Sequence, residues 1–271
     1  MAQGFLSSLD LKGSVFGPED LLVTYQNGNV DGSFVLHYLV GDFVKTFGNQ
    51  SRILLVLSSE TVNHWNSVGS KLGWNFGAQQ AKGHLKVIDL GEELFQTLTN
   101  SESPGDDAID LEKLYTNSRN EIESMCGKPN DDGGKNDTVK VLIVVEDLTS
   151  LLFHKASGSG RTEVSPERQV LIFLKKLLKL NDVVAGRSAE VTVATLVNSC
   201  GTYFASTIGK VLAAVAFEVS PLQTGYSELF SGYLVVKQRP ASCDKEIWVK
   251  SYQYKLDDRQ IKLSPLTKLN F

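Results

Sequence analysis

The chain has 271 residues, 42% of them hydrophobic, with 31 acidic and 27 basic side chains and a net charge of -4. That much apolar material fills a large α/β core, and the slight acidic excess rules out a general pull toward nucleic acid or anionic membrane, so any such contact needs a local patch. The longest apolar stretches, such as residues 211–217, fall far short of the roughly 20 residues a spanning helix requires, and no basic-apolar-small leader opens the sequence, so a soluble protein is expected.

Residues 1–19 carry FLSSLDL and then Gly17 and Pro18. They read as a short amphipathic arm whose apolar side chains need a partner within the chain or on a neighbour. An apolar run, LLVTYQ, follows from Leu21. After it come a loop with Gly28 and Gly32 and a segment with Leu36, Leu39, Val40, Phe43 and Phe47 at helical spacing. This pattern predicts strand, turn and helix, with Gly48 as the stop. Residues 52–60 (RILLVLSSE) predict a parallel strand covered on both faces, 61–73 a helix, and 84–90 another strand, which establishes an α/β alternation.

Residues 101–138 interrupt it. They are rich in Asp, Glu, Asn, Ser and Gly, and only 111–125 have helical spacing. The rest is expected to be a mobile insertion within a single domain spanning 1–271, because the alternation resumes afterwards. Residues 140–146 (KVLIVVE) give the strongest strand signal in the sequence. A Gly/Ser-rich loop then leads to a helix with Ser165 as N-cap and Pro166 at its first position. On that helix Val170, Phe173, Leu174, Leu177 and Leu178 share one face, while Lys175, Lys176 and Lys179 lie opposite. Strands are expected at 190–197 and 212–219. From Ser231 onward three alternating segments predict antiparallel strands closing the sheet edge, the last two joined by a turn at Asp257 and Asp258. The fold class is therefore α/β, a mostly parallel central sheet flanked by helices with antiparallel C-terminal edge strands.

The strand-loop-helix from Leu21 to Phe47 has the layout of a phosphate-binding P-loop. In the working motif G-x-x-x-x-G-K-[ST], backbone amides cradle phosphates, the lysine reaches the β- and γ-phosphates, and the hydroxyl holds magnesium. With Gly32 as the last glycine, Ser33 and Phe34 stand in place of the lysine and the hydroxyl. The first-glycine position falls on Asn27, and Asp31 sets a negative charge where phosphates would lie. Gly28, Asp31, Gly32, Ser33 and Phe34 thus read as a relic, and no nucleotide or other cofactor is expected. Since lysine and metal supply most of the electrostatic stabilisation at such a site, the chemistry is lost with them.

The run VLIVVED, ending in Glu146 and Asp147, resembles a Walker B strand, although Asp147 also suits the simpler role of capping the turn that begins at Leu148. A relic P-loop, intervening strands and then an acid-ended strand form the layout of a RecA-like ATPase core. Lys237 and Arg239, at a strand end before Pro240, are candidates for reaching a neighbouring subunit's triphosphate across an interface. The plainer alternative is a charged, protected edge strand. Lys155, Arg161 and Arg168, in the loop and turn at 154–168, are candidates for backbone contacts to a polyanion, or simply a solvated loop. His37, His64, His84 and His154 share no ligand spacing that would build a metal site, and His37 reads as a hydrogen-bonded, partly buried side chain. Cys126, Cys200 and Cys243 are odd in number and without ligand spacing, which predicts thiols in a reducing compartment, hence cytoplasm or nucleus.

Several of these pieces occur together in one known family. VDGSFVLHYLVGDFV at 30–44, NSVGSKLG at 66–73, LIVVEDLTSLL at 142–152, and QRP with SYQYKLDDRQIKLSP near the C-terminus resemble the Elongator complex protein 6 family. The likeness runs from residue 21 to residue 265, apart from the insertion. It implies a RecA-like fold without a working Walker A motif. It implies also a heterohexameric ring with the fourth and fifth Elongator subunits, which binds tRNA and supports the main Elongator module in modifying wobble uridine at the 5 position. The acetyltransferase chemistry would belong to another subunit, leaving this chain a non-enzymatic one. Two other classes stay open on the residues alone: an NTPase with an unorthodox or interface-shared nucleotide site, which the missing Lys-Ser/Thr pair disfavours, and a free-standing recombinase-like DNA binder, which the net charge disfavours.

Overall fold

The computed structural model describes residues 4–92, 109–127, 138–153, 164–182, 189–198, 203–223, 225, 227–240 and 246–266. Among them run nine strands: β1 (Leu21–Gln26), β2 (Ser51–Leu57), β3 (Leu85–Asp89), β4 (Val139–Val145), β5 (Ala189–Asn198), β6 (Val215–Ser220), β7 (Gly232–Gln238), β8 (Trp248–Asp257) and β9 (Gln260–Pro265). They form one sheet in the order β3-β2-β4-β5-β1-β6-β7-β8-β9. The strands from β3 to β6 in that order are parallel. The last three join antiparallel.

Continuous apolar strands divide their side chains between two faces because successive residues point to opposite sides. In β4, Val141, Ile143 and Val145 enter one core cluster, and Leu142 and Val144 enter the other. The first cluster is covered by α4 (Leu111–Cys126), α5 (Pro166–Leu178) and the short α6 (Tyr203–Thr207). The second is covered by α1 (Ser33–Phe47), α2 (Val62–Leu72) and α3 (Phe76–Ala81). The strong apolar stripe of α5 faces inward as its spacing requires, and Ser165 caps it, accepting a hydrogen bond from Arg168 N–H at 3.4 Å.

The N-terminal arm finds its partner within the chain. Phe5 lies against Tyr38 of α1, ring centroids 5.4 Å apart, and Leu6 N–H donates to Asp42 Oδ2 at 2.7 Å. Tyr252 O–H of β8 donates to the Leu9 carbonyl at 2.8 Å, and Lys250 forms an ion pair with Asp10. Helices α1 and α2 come together over the Trp74 indole. A Cβ at Gly69 would lie only 3.0 Å from that ring, so the bare glycine is what permits the approach.

Three expectations need correction. The strand expected over 212–219 begins only at Val215, because Leu212 ends a π-helical turn, Ile208–Leu212, that follows α6. An unbroken apolar run carries no period that separates a buried turn from a strand. Residues 76–81, unassigned from the sequence, form α3, with Asn75 as N-cap accepting from Ala78 N–H at 2.8 Å. Finally β7, which carries Lys237, is paired on both sides and is not an edge strand. Of the expected insertion, residues 101–108 and 128–137 lie outside the described residues, and α4 occupies the part between.

Candidate functional site

The relic P-loop joins β1 to α1, and three of its amide donors are bonded within the chain. Gly32 N–H donates to Gln26 Oε1 at 2.9 Å, and Ser33 N–H donates to Asp31 Oδ1 at 2.8 Å. Asn27 N–H is bonded to the Val219 carbonyl at 2.9 Å, which fastens the loop to β6. Gly28 takes a left-handed φ of 71°, the conformation for which the turn needs glycine. A working cradle turns such N–H groups toward phosphate oxygens. Here a carboxylate and a side-chain amide have taken those places, so the residues present do not fit a nucleotide phosphate.

The two positions after Gly32 complete the closure. Ser33, at the lysine's position, is buried. Phe34, at the hydroxyl's position, packs on the buried Tyr254 of β8, with ring centroids 5.1 Å apart. Burial pushes the Tyr254 phenol up to about 12, and the negative charge of Asp31 adds to the effect. The carboxylate thus neighbours an aromatic cluster in place of a phosphate or a metal.

The acid-ended strand serves the fold as well. Glu146 is buried, and its Oε2 accepts the N–H groups of Ser58 at 2.8 Å, Ser59 at 2.9 Å and Glu60 at 3.1 Å. Its Oε1 accepts the Ser59 hydroxyl. One carboxylate therefore organises the loop after β2. Asp147 does what the simpler sequence reading proposed. Its Oδ1 accepts Thr149 N–H at 2.8 Å at the start of the following turn, and burial raises its carboxyl above the usual range despite that bond.

Beside the relic lies a cluster that was not expected. His37 of α1, Glu60 of the loop held by Glu146, and His64 of α2 bring one ligand atom each to within 4.8 Å of one another. Glu60 Oε2 is 3.3 Å from His37 Nε2, and Glu60 Oε1 is 3.7 Å from His64 Nε2. Burial alone would raise the Glu60 carboxyl, but the close approach and charge of His37, with smaller help from Ser33 and His64, hold it below its ordinary value. His37 is only 2% exposed and stacks on Trp65 with ring centroids 4.0 Å apart. Neither of its ring nitrogens is aligned with a hydrogen-bond partner among the described residues, so the expected hydrogen-bonded histidine is corrected to a buried one whose Nε2 meets Glu60 only at ion-pair distance. The i,i+4 pair Glu60 and His64 was the local signal for this cluster. His37, 27 residues before His64, is brought in only by the packing of α1 on α2.

The remaining candidates lie apart from it in the sequence and on the sheet. Lys237 Nζ pairs with Glu218 Oε1 on β6 at 2.5 Å, and Arg239 donates to the Gly209 carbonyl at 3.3 Å. Arg168 is exposed in the first turn of α5. Lys155, Arg161 and His154, like Cys200 and Cys243, lie outside the described residues, whereas Cys126 is buried at the end of α4. No helix among the described residues is long and apolar enough to cross a membrane.

Comparison with known proteins supplies the frame for these findings. A family described as Elongation complex protein 6 matches residues 6–258. No curated protein matches the sequence. Among solved structures, the KaiC-like protein PH0186 from the hyperthermophilic archaeon Pyrococcus horikoshii OT3 superposes with a TM-score of 0.52 at 13% identity, covering 90% of this chain and 89% of that one. At that identity the likeness speaks for the fold, a RecA-like α/β sheet, and for nothing further.

Proposed function

Because the chain belongs to the Elongation complex protein 6 family, we propose that it acts as a non-catalytic RecA-like subunit of the Elongator complex, assembled with the fourth and fifth subunits into a heterohexameric ring. In this reading the ring binds tRNA and supports the main Elongator module in modifying wobble uridine at the 5 position, in cytoplasm and nucleus. The observation that carries it is the altered cradle: a RecA-like sheet whose Gly32 and Ser33 amides bond to Gln26 and Asp31, with Ser33 and Phe34 in place of lysine and hydroxyl, leaves function to the surfaces.

One such surface lies at the antiparallel end of the sheet. Ile247 is 58% exposed and Val249 54%, on one face where β8 begins, and Leu266, whose N–H donates to the Ser251 carbonyl, is exposed beside them. Neighbouring exposed apolar side chains of this kind suit a subunit contact. Lys155, Arg161 and Arg168 are the proposed tRNA-phosphate contacts, and Lys237 and Arg239 the proposed groups nearest an intersubunit face. The alternative of an interface-shared nucleotide site draws no support from Lys237, whose charge is met by Glu218 within the same chain.

Co-expression with the fourth and fifth subunits, followed by native mass measurement, tests the reading. The expected particle contains two copies of each subunit and retains tRNA. A stable monomer that ignores both partners overturns it.

A further inference from the structure

We propose that His37, Glu60 and His64 form a binding site for a divalent transition-metal ion, with Zn2+ the ion that two imidazoles and one carboxylate suit best. Bonds of about 2.0–2.2 Å at tetrahedral angles separate ligand atoms by roughly 3.3–3.5 Å. The 3.3 Å between His37 and Glu60 lies in that range, and the 3.7 Å between Glu60 and His64 is a small side-chain adjustment from it.

Two further features point to a ligand and not to a chance ion pair. Buried polar atoms in folded chains are nearly always bonded. Yet both nitrogens of His37, 98% removed from solvent, and Oε2 of Glu60 have no hydrogen-bond partner among the described residues. An ion coordinated to Nε2 and Oε2 satisfies two of those atoms at once. The ligands are also held in place from outside. Glu146 bonds the amides of residues 58–60, Trp65 backs the His37 ring, and the Thr61 side chain caps α2 by accepting His64 N–H at 3.2 Å. Such supporting contacts are what orients ligands at metal centres.

His64 is 51% exposed and gives the ion a way in from solvent. Three protein ligands leave a fourth position for water. Magnesium, which prefers an octahedron of oxygens, does not suit this donor set, so the site is no substitute for the metal of a nucleotide. Its effect is mechanical: the ion joins α1, the β2–α2 loop and α2 beside the closed cradle.

The test is Zn2+ titration of the chelator-stripped full chain against a competing chromophoric chelator, with Co2+ absorption as a reporter of tetrahedral nitrogen and oxygen ligation. The expected result is a single Zn2+ per chain with submicromolar affinity and a tetrahedral Co2+ spectrum, both weakening as the histidines protonate in acid. His64→Ala should lower the affinity by about 100-fold or more, since outer-shell losses alone cost up to about that much. Its side chain is half exposed, so the melting temperature in chelator should stay close to that of the unaltered chain. Glu60→Gln provides a second variant that keeps the side-chain shape. No Zn2+ binding below micromolar concentration, or binding that is the same in His64→Ala and Glu60→Gln as in the original chain, overturns the assignment.

Discussion

Around the first turns of α1, two neighbouring groups of polar atoms have been treated in opposite ways. In the relic P-loop, the amides of Gly32 and Ser33 take acceptors from Gln26 and Asp31. In the cluster beside it, His37 and one oxygen of Glu60 are buried without aligned partners. A lost phosphate site thus does not persist as an opening that another anion fills. The chain supplies its own acceptors, because an unmade bond to a buried amide costs more than a made one contributes. At His37 and Glu60, by contrast, incomplete bonding coincides with metal-ligand chemistry.

The largest expected effect concerns the carboxylate on which the second group depends. Glu146→Ala removes the acceptor for three backbone amides, at about 1–3 kcal/mol for each donor left unsatisfied, so a loss of about 3 kcal/mol or more is expected. Urea unfolding reads it as a lower midpoint at an unchanged slope. Glu146→Gln, which keeps one acceptor oxygen, should lose less. A loss in Glu146→Ala below about 1 kcal/mol would mean that the loop carrying Glu60 is held by something else.

On the cradle side the effects are smaller. Asp31→Ala and Gln26→Ala each release one partly buried N–H and should cost about 1 kcal/mol, without creating affinity for ATP. Gain of nucleotide binding in either variant would show that occupation of the amides by these side chains was the only obstacle. A separate effect appears only in alkali. Tyr254 and Tyr38 are both pushed from their ordinary value of 10 up to about 12, chiefly by burial. A raised folded-state value means that the unfolded chain loses the proton first. The stability from each phenol is therefore full below pH 10 and is lost as pH rises from 10 through 12. Tyr254→Phe should flatten that loss, and Asp31→Asn should do so more weakly by removing the nearby negative charge. An unchanged alkaline profile in Tyr254→Phe would separate the phenol from the cradle.

Much of the fold was legible because period and punctuation agreed. Apolar runs bounded by turn-forming or charged residues gave β1, β2 and β4, and Ser165 with Pro166 marked the start of α5 within one residue. The π-turn before Val215 was hidden because its apolar residues continue directly into β6. The pairing of β7 on both sides was hidden because alternation reports which face is wet and not how many neighbours a strand has. At the site, the missing lysine and hydroxyl could be read from Ser33 and Phe34, but the repair could not. Gln26 bonds six residues along the chain through the curvature of the loop, and Glu146 reaches a segment 86–88 residues away across two adjacent parallel strands. Long-range bonds of this kind leave no spacing in the sequence.

The central claim, that this RecA-like fold has closed its own phosphate cradle, is tested most directly by calorimetric titration of Mg-ATP into the purified chain. With the amides of Gly32 and Ser33 occupied, and serine and phenylalanine where lysine and hydroxyl belong, no saturable heat is expected at millimolar nucleotide. Saturable binding with a micromolar dissociation constant, abolished by a charge-reversing change within residues 26–34, would contradict it.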